Sequence, residues 1–482
     1  MKKSGRKIPL LLVLALTFVL LGGTLAYGAP SAITLSWTGD PATDIHVSWR
    51  DSENTDACLQ LVTQEAYDRA AFEEAAEFAA SVEDVSLDGG GAWNYQAEAA
   101  SLQPDTAYVY RVGSEETGWS EQKTFRTQAA DSDAVTFAYL GDVQPDSDTE
   151  GDYARWGELC RTVYEQNPAL AFVLLGGDMV NSGISLEQFD LFRTCGEVLF
   201  SQFPMFATAG NHESNFLGGK PELMLKLFAW PENGPEGFEE EFYSLRVGDC
   251  QVLVLNSWIY SGEQNLTEAD YARVNAWIAS ELAGSTARWQ VVVTHVPVQA
   301  VHSDNTAAAL LANWAPIFEQ YGVDLVLEGH QHVYSRSYPL LNGRIDEENG
   351  IPYIMGVSGS KFYDSADESK AACTIYGTSN YQLVEANADS LTVSTRDAAG
   401  QEMDFVSVNQ RTFTLTRGEY IELLWQAAGS PAPAGASPFT DDRSDSVTWA
   451  YEEGLILGYG NGSFGGGDLL SDAQRELIQA RR

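Results

Sequence analysis

Between Ala32 and about Thr127, apolar and polar residues alternate over short stretches: Ile33-Thr-Leu-Ser-Trp37, Ile45-His-Val-Ser-Trp49, Ala107-Tyr-Val-Tyr-Arg-Val112 and Lys123-Thr-Phe-Arg126. A period of two turns one face of each segment toward a core and the other toward water, as half-buried strands require. A run of such strands over residues 29–128 predicts an N-terminal β-sandwich. His46, alternating with Ile45 and Val47, reads there as a strand-face residue without chemistry. After the polar linker from Gln128 to Asp133 the pattern changes. Continuous apolar runs at 137–140, 171–175, 204–207, 252–255, 290–293, 323–327 and 353–355 alternate with helix-length segments around 153–166, 185–199, 268–283 and 306–320. Runs without alternation are strands buried on both faces. Interleaved with helices, they predict a layered α/β domain over residues 131–400. Beyond about Thr412, the stretch Thr416-Arg-Gly-Glu-Tyr-Ile-Glu-Leu-Leu-Trp425 reads as a helix followed by a linker-like 429–437, so a small helical region over 412–482 is expected.

The first residues fit none of these patterns. Lys2, Lys3, Arg6 and Lys7 precede a short apolar run from Ile8 to Leu21, and the small residues Ala26 and Gly28 follow. That order predicts a signal peptide over residues 1–28, cut near the small residues. The run is short for a bilayer span, so no membrane span is expected after cleavage. The mature chain is then expected outside the membrane, secreted or at the cell wall and surface. The full sequence has a formal charge of −40, which repels the phosphate backbone and excludes nucleic acid as an expected partner. Other polyanions are repelled too, except where metal ions reverse the local sign. The five cysteines are scattered without a CxxC pair, so neither a zinc ribbon nor a disulfide scaffold is indicated. They read as core residues, with one or two bridges left open.

Residues with metal-binding chemistry fall where the buried runs end. The turns are Gly141-Asp142, Gly177-Asp178, Gly210-Asn211-His212-Glu213, Thr294-His295 and Gly329-His330-Gln331-His332. In α/β sheets, the crevice at the carboxyl ends of strands is where ligands bind. Glycine before the polar residue lets the chain turn sharply and aim the side chain inward. Of the six histidines in the chain, four lie in these turns and His302 follows one of them by seven residues. Two carboxylates, an amide oxygen and three imidazoles suit Zn, Mn, Fe or Co, and are too rich in nitrogen for Ca or Mg alone. The set is large enough for two ions sharing a carboxylate. Such a pair would polarise a phosphoryl group and lower the pKa of bound water.

In this order the turns resemble those of the calcineurin-like metallophosphoesterases, and with a β-sandwich ahead of them the purple acid phosphatase branch. The resemblance implies a four-layer α/β domain, a β-sandwich flanked by helices, holding two divalent or trivalent ions of Fe, Zn or Mn. It implies that Asp142, Asp178 and His332 hold the first ion, that Asp178, Asn211, His295 and His330 hold the second, and that Asp178 bridges them. His212 would stabilise the transition state or protonate the leaving oxygen, and His302 is placed like a further substrate-facing histidine. Tyr334 and Arg336 echo residues that follow the double-histidine turn, which makes Arg336 a candidate substrate contact. The implied reaction is hydrolysis of small phosphate monoesters, or of diesters, by metal-bound hydroxide.

Two positions depart from the pattern: Asn181 stands where the purple enzymes have a tyrosine ligand, and Gln144 where other branches have histidine. The first ion is therefore expected to have fewer strong ligands. The stretch from Leu102 to Gly113 resembles a fibronectin type III strand pair. Phe439-Thr-Asp-Asp442, Trp449-Ala-Tyr-Glu-Glu-Gly454 and Leu457-Gly-Tyr-Gly-Asn-Gly-Ser-Phe464 resemble partial S-layer homology repeats. That second resemblance implies a cell-wall polymer as partner. A reading of another class also stands, namely a wall-associated adhesion or scaffold protein with a degenerate phosphoesterase domain.

Overall fold

A computed structural model describes residues 30–86, 90–145, 150–214, 218–411 and 414–482, so the signal peptide expected over 1–28 lies outside the described residues. The alternating segments form two facing sheets. One orders Ser31–Ser36, Ile45–Asp51, Trp93–Ala99 and Ser81–Asp84. The other orders Ala76–Ala79, Cys58–Thr63, Ala107–Ser114 and Gly118–Trp119, with Lys123–Arg126 also paired to Ala107–Ser114. Val47, Trp49 and Tyr95 from one sheet share a buried core with Leu59, Tyr110 and Val112 from the other. His46 is buried in this sandwich, and burial pushes its imidazole down to about 4. The sandwich is bound to its neighbour by specific contacts. Trp37 packs on Phe206 at 5.4 Å, Arg50 pairs with Asp190 at 3.0 Å, and the Tyr110 hydroxyl donates to the Ser201 carbonyl at 2.7 Å.

The continuous runs become the inner strands of two larger sheets. The first has six strands, ordered Met205–Ala207, Phe172–Leu175, Val135–Leu140, Asn380–Ala386, Leu391–Asp397 and Glu402–Val408. The second has seven, ordered Phe242–Val247, Cys250–Leu255, Trp289–Thr294, Leu325–Glu328, Tyr353–Met355, Tyr334–Ser337 and Ala371–Ile375. Side-chain alternation explains why the second sheet looks apolar throughout. Val252, Val254, Val291, Val293, Leu325 and Leu327 face the core shared with the first sheet. Leu253, Leu255, Val292 and Val326 face a separate core under the helices Glu268–Gly284, Asn305–Asn313 and Ala315–Gln320. On the outer side of the first sheet, Trp156, Leu159 and Phe192 of the helices Glu150–Gln166 and Leu186–Phe200 pack into its core. The result is a sandwich of sheets with helices outside each.

Several boundaries differ from the sequence reading. The helix expected over 306–320 is two helices, because Pro316 at the start of the second lacks the N–H needed to continue the first. The first sheet runs past residue 400: Glu402–Val408 pairs along Leu391–Asp397 as an edge strand. The strand Asn380–Ala386 carried no apolar run because Asn380 and Gln382 are buried in it and hydrogen-bond each other at 2.8 Å. The five cysteines are all free.

Beyond residue 414, the helices Arg417–Ala427, Asp445–Glu452 and Asp472–Gln479 form a small unit. Tyr420, Ile421, Leu424, Val447 and Ile478 join the core under Glu268–Gly284. Capping boxes at Thr416–Glu419 and Ser471–Gln474 start two of these helices. No described helix is long and apolar enough to cross a membrane.

Candidate metal centre

The parallel strands of both sheets end on the same side of the sandwich, and there the turns meet. Asp142 follows Val135–Leu140 and is joined to the second sheet by a bridge between Asp142 and Val357. Asp178 follows Phe172–Leu175, Asn211 follows Met205–Ala207, His295 follows Trp289–Thr294, and His330 follows Leu325–Glu328. The backbone is strained where it delivers ligands: Asp178 has φ 48°, His330 φ 73° and His332 φ 43°. Left-handed φ at a residue with a side chain costs energy that the surrounding structure must offset, and such residues cluster at functional sites. Gly329 meets a further demand, since a Cβ there would lie 2.6 Å from Asp142 Oδ2.

Two groups of potential ligand atoms result. One joins Asp178, His295 and His330, the other joins Asp142, Asp178 and His332, and within each group the atoms lie within 4.8 Å of one another. Asp178 belongs to both. Asn211 Oδ1 sits 3.1 Å from His295 Nε2 and 2.9 Å from His330 Nδ1, so this amide oxygen completes the first group. His295 places Nδ1 2.8 Å from the Gly176 carbonyl oxygen, which fixes the proton there and leaves Nε2 as the inward lone pair. His330 is held the same way, with Nε2 3.2 Å from Asp304 Oδ2. His332 is different: its Nδ1 is buried without a hydrogen-bond partner, and its Nε2 lies 3.9 Å from Asp142 Oδ1. The donor set of two buried carboxylates and a buried imidazole, with ligand atoms within 4.8 Å of one another, fits a site built around a cation.

The electrostatics agree with that fit. Burial opposes a charged Asp178, but His295 in contact and His212 and His330 nearby hold its carboxyl well below the usual range. Burial likewise opposes a charged His295, yet the Asp178 carboxylate holds it up at about 9. Asp178 and His295 each oppose the other's burial cost in charged form, and a shared cation would replace that ion pair with coordination.

His212 is the second residue of the short helix Asn211–Ser214, and its N–H donates to Asp178 Oδ1 at 2.9 Å. Its Nδ1 lies 2.7 Å from the Asn181 carbonyl oxygen and its Nε2 3.0 Å from Gln144 Nε2. Gln144 and Asn181 hydrogen-bond each other through their amides. Gln144 and Asn181 are therefore one joined feature beside His212. His302 lies against Tyr363 at 5.4 Å, and Tyr363 packs on His332 at 5.2 Å, so His302 is one ring away from His332. Arg336 is committed elsewhere, as a correction to its place as a substrate contact. Its guanidinium forms a two-point pair with Asp404 at 2.7 and 3.0 Å, and the Tyr334 hydroxyl donates to the same carboxylate at 2.7 Å.

Three supporting carboxylates were given no role from sequence. Glu213 accepts from the backbone N–H groups of Asp178, Met179 and Gly210, each at 2.8 Å, which ties the Asp178 turn to the Asn211 turn. Burial, then the charge of Asp178, push its carboxyl up to about 7. Glu328 accepts from Val298 N–H at 2.6 Å and so fixes the loop after His295. Asp304 caps Asn305–Asn313 and orients His330. Glu213 sits inside a quoted motif, whereas Asp304 lies 26 residues from its histidine and left no local signal.

Comparison with known proteins places these features in a family context. Residues 30–127 match the model of the purple acid phosphatase N-terminal domain, and residues 135–334 match that of the calcineurin-like phosphoesterases. An uncharacterized protein of Mycobacterium tuberculosis is 30% identical over 274 residues, which is 51% of this chain and 50% of that protein. The Fe(3+)-Zn(2+) purple acid phosphatase 12 of Arabidopsis thaliana is 25% identical over 267 residues, 52% of this chain and 53% of its own length. This chain thus spans about half the length of the curated relatives it matches. Among solved structures, purple acid phosphatase PPD1 from yellow lupin (Lupinus luteus) seeds superposes with a TM-score of 0.63 at 16% identity, covering 85% of this chain and 78% of that one. A structure of PhoD gives 0.58 at 12% identity, with coverage of 85% and 98%, and both likenesses speak to the fold. Residues 30–127 are thus similar to the purple acid phosphatase N-terminal domain and residues 135–334 to the calcineurin-like phosphoesterases, and the strand ends of the second region gather two ligand groups around one shared aspartate.

Proposed function

We propose that the protein hydrolyses small phosphate monoesters at a centre of two metal ions, outside the cell that makes it. The observation that carries this reading is the pair of ligand groups sharing Asp178. Two ions held there would lower the pKa of a coordinated water and neutralise charge on a phosphoryl group. The rest falls to the chain. Asp178, anchored by His212 N–H and by Glu213 through its own N–H, keeps the two groups at a fixed separation. His212, its Nδ1 donating to the Asn181 carbonyl and its Nε2 facing the Gln144 amide, stands beside Asp178, and as an imidazolium it would stabilise the transition state or protonate the departing oxygen. Iron with zinc is the pair named for the similar Arabidopsis purple acid phosphatase 12. The nitrogen-rich ligands around His295 and His330 suit zinc or iron, and the poorer Asp142–His332 group would be the less selective.

Turnover of aryl phosphates by metal-replete protein tests this reading. Chelation should abolish activity, and His212→Ala should lower kcat by about 10²- to 10³-fold while metal content stays constant. Undiminished turnover in metal-stripped protein sinks the proposal. Export rests on the basic-then-apolar leader, and contact with cell-wall polymer on the S-layer-like motifs of 439–464. Co-sedimentation of the full chain with purified wall, compared with a chain ending at residue 411, tests the latter. Tight sedimentation without stoichiometric metal would favour the scaffold reading.

A further inference from the structure

Residues 357–363 form a strap across one side of the centre, pinned at both ends. Ser358 N–H and Gly359 N–H donate to the Asp142 carbonyl at 3.1 and 2.7 Å, and Tyr363 N–H donates to the His332 carbonyl at 2.9 Å. The fit is close: a Cβ on Gly359 would lie 2.7 Å from the carbonyl oxygens of Val143 and Gln144. Between the pins stands Lys361, half-buried, with Nζ 3.2 Å from Gln144 Oε1. The same Gln144 touches Asn181 and lies 3.0 Å from His212 Nε2. An ammonium is thus held one side chain away from the proposed proton donor, on the side where amides replace stronger metal ligands. Gln144 takes one of its three donors. In a chain of formal charge −40, a lysine fixed beside the centre supplies positive charge that does not depend on how fully the weaker ion site is filled.

We propose that Lys361 binds the phosphoryl oxygens of the substrate and favours dianionic monoesters over monoanionic diesters. This rests on the phosphoesterase reading and names its substrate class. A lysine contributes a strong point charge to phosphate recognition, and its gain scales with the charge it meets. The strap carries it as a rigid wall, so little side-chain ordering is left to the moment of binding.

Lys361→Met and Lys361→Gln test the assignment in full-length, metal-replete protein, with metal content measured by elemental analysis. Calorimetric titration with inorganic phosphate should show affinity reduced by about ten- to a hundredfold in both variants, the range expected for loss of a charge-assisted hydrogen bond. Monoester kcat/KM should fall by the same factor, diester kcat/KM by only a few-fold, and Lys361→Arg should restore most of the loss. Unchanged phosphate affinity in a variant with wild-type metal content overturns the proposal. So does an equal fall for both ester classes accompanied by loss of metal, which would make Lys361 a support for Gln144 alone. If the wild-type protein turns over neither ester, the phosphoesterase reading fails, and the phosphate titration still decides the role of Lys361.

Discussion

The two ligand groups share a carboxylate but are built differently. Around His295, His330 and Asn211, each imidazole has its outer nitrogen occupied, by the Gly176 carbonyl or by Asp304, and its inner nitrogen aimed at the amide oxygen. Around Asp142 and His332, one imidazole nitrogen is buried without a partner, and the adjoining positions hold the neutral amides Gln144 and Asn181, which bond each other. Outer partners fix tautomer and orientation and raise ligand basicity, so the first group should bind its ion the more tightly. The lesson is that counting ligand residues is not enough, because what holds each ligand from behind decides how well it serves.

The shared residue gives the severest way to break this comparison. Asp178→Ala should strip both ions and lower activity by on the order of 10³-fold or more, since the ions supply several kcal/mol of transition-state stabilisation. Retention of one ion at full stoichiometry would show that the groups are independent. Asp304→Asn should weaken only the more tightly bound ion, by about ten- to a hundredfold, measured by competition with a chelating dye. Equal weakening of both ions would dissolve the distinction between the groups. The smallest effect is expected from repair. Gln144→His adds an imidazole to the weaker group and should raise its affinity by about tenfold, equivalent to one additional modest ligand contribution. No change in the second binding step would place Gln144 outside coordination reach.

Much of this centre was legible because ligand residues sit immediately after buried strands, where an apolar run stops and a glycine-bearing turn begins. Asp142, Asp178, Asn211, His295, His330 and His332 could be read in order for that reason, and the structure brings them together. Arg336 shows the limit of reading by position after a motif: two residues along a strand turn a side chain to the same face, and here that face meets Asp404. The Glu402–Val408 strand was missed because an exposed edge strand needs little apolar sequence. The double helix at 305–320 was missed because its apolar spacing continues across the Pro316 break.

From the amino-acid order alone came the layers and the kinds of atom available at each strand end, because hydrophobic periodicity and residue chemistry are local properties. What only the tertiary structure decided is which atoms face one another. Asp304 behind His330, Glu213 stitching two turns, Gln144 bonded to Asn181, and Lys361 held over them all depend on contacts between distant segments. A side chain's role in such a centre is set by its neighbours' position and burial, and those are fixed when the two sheets pack.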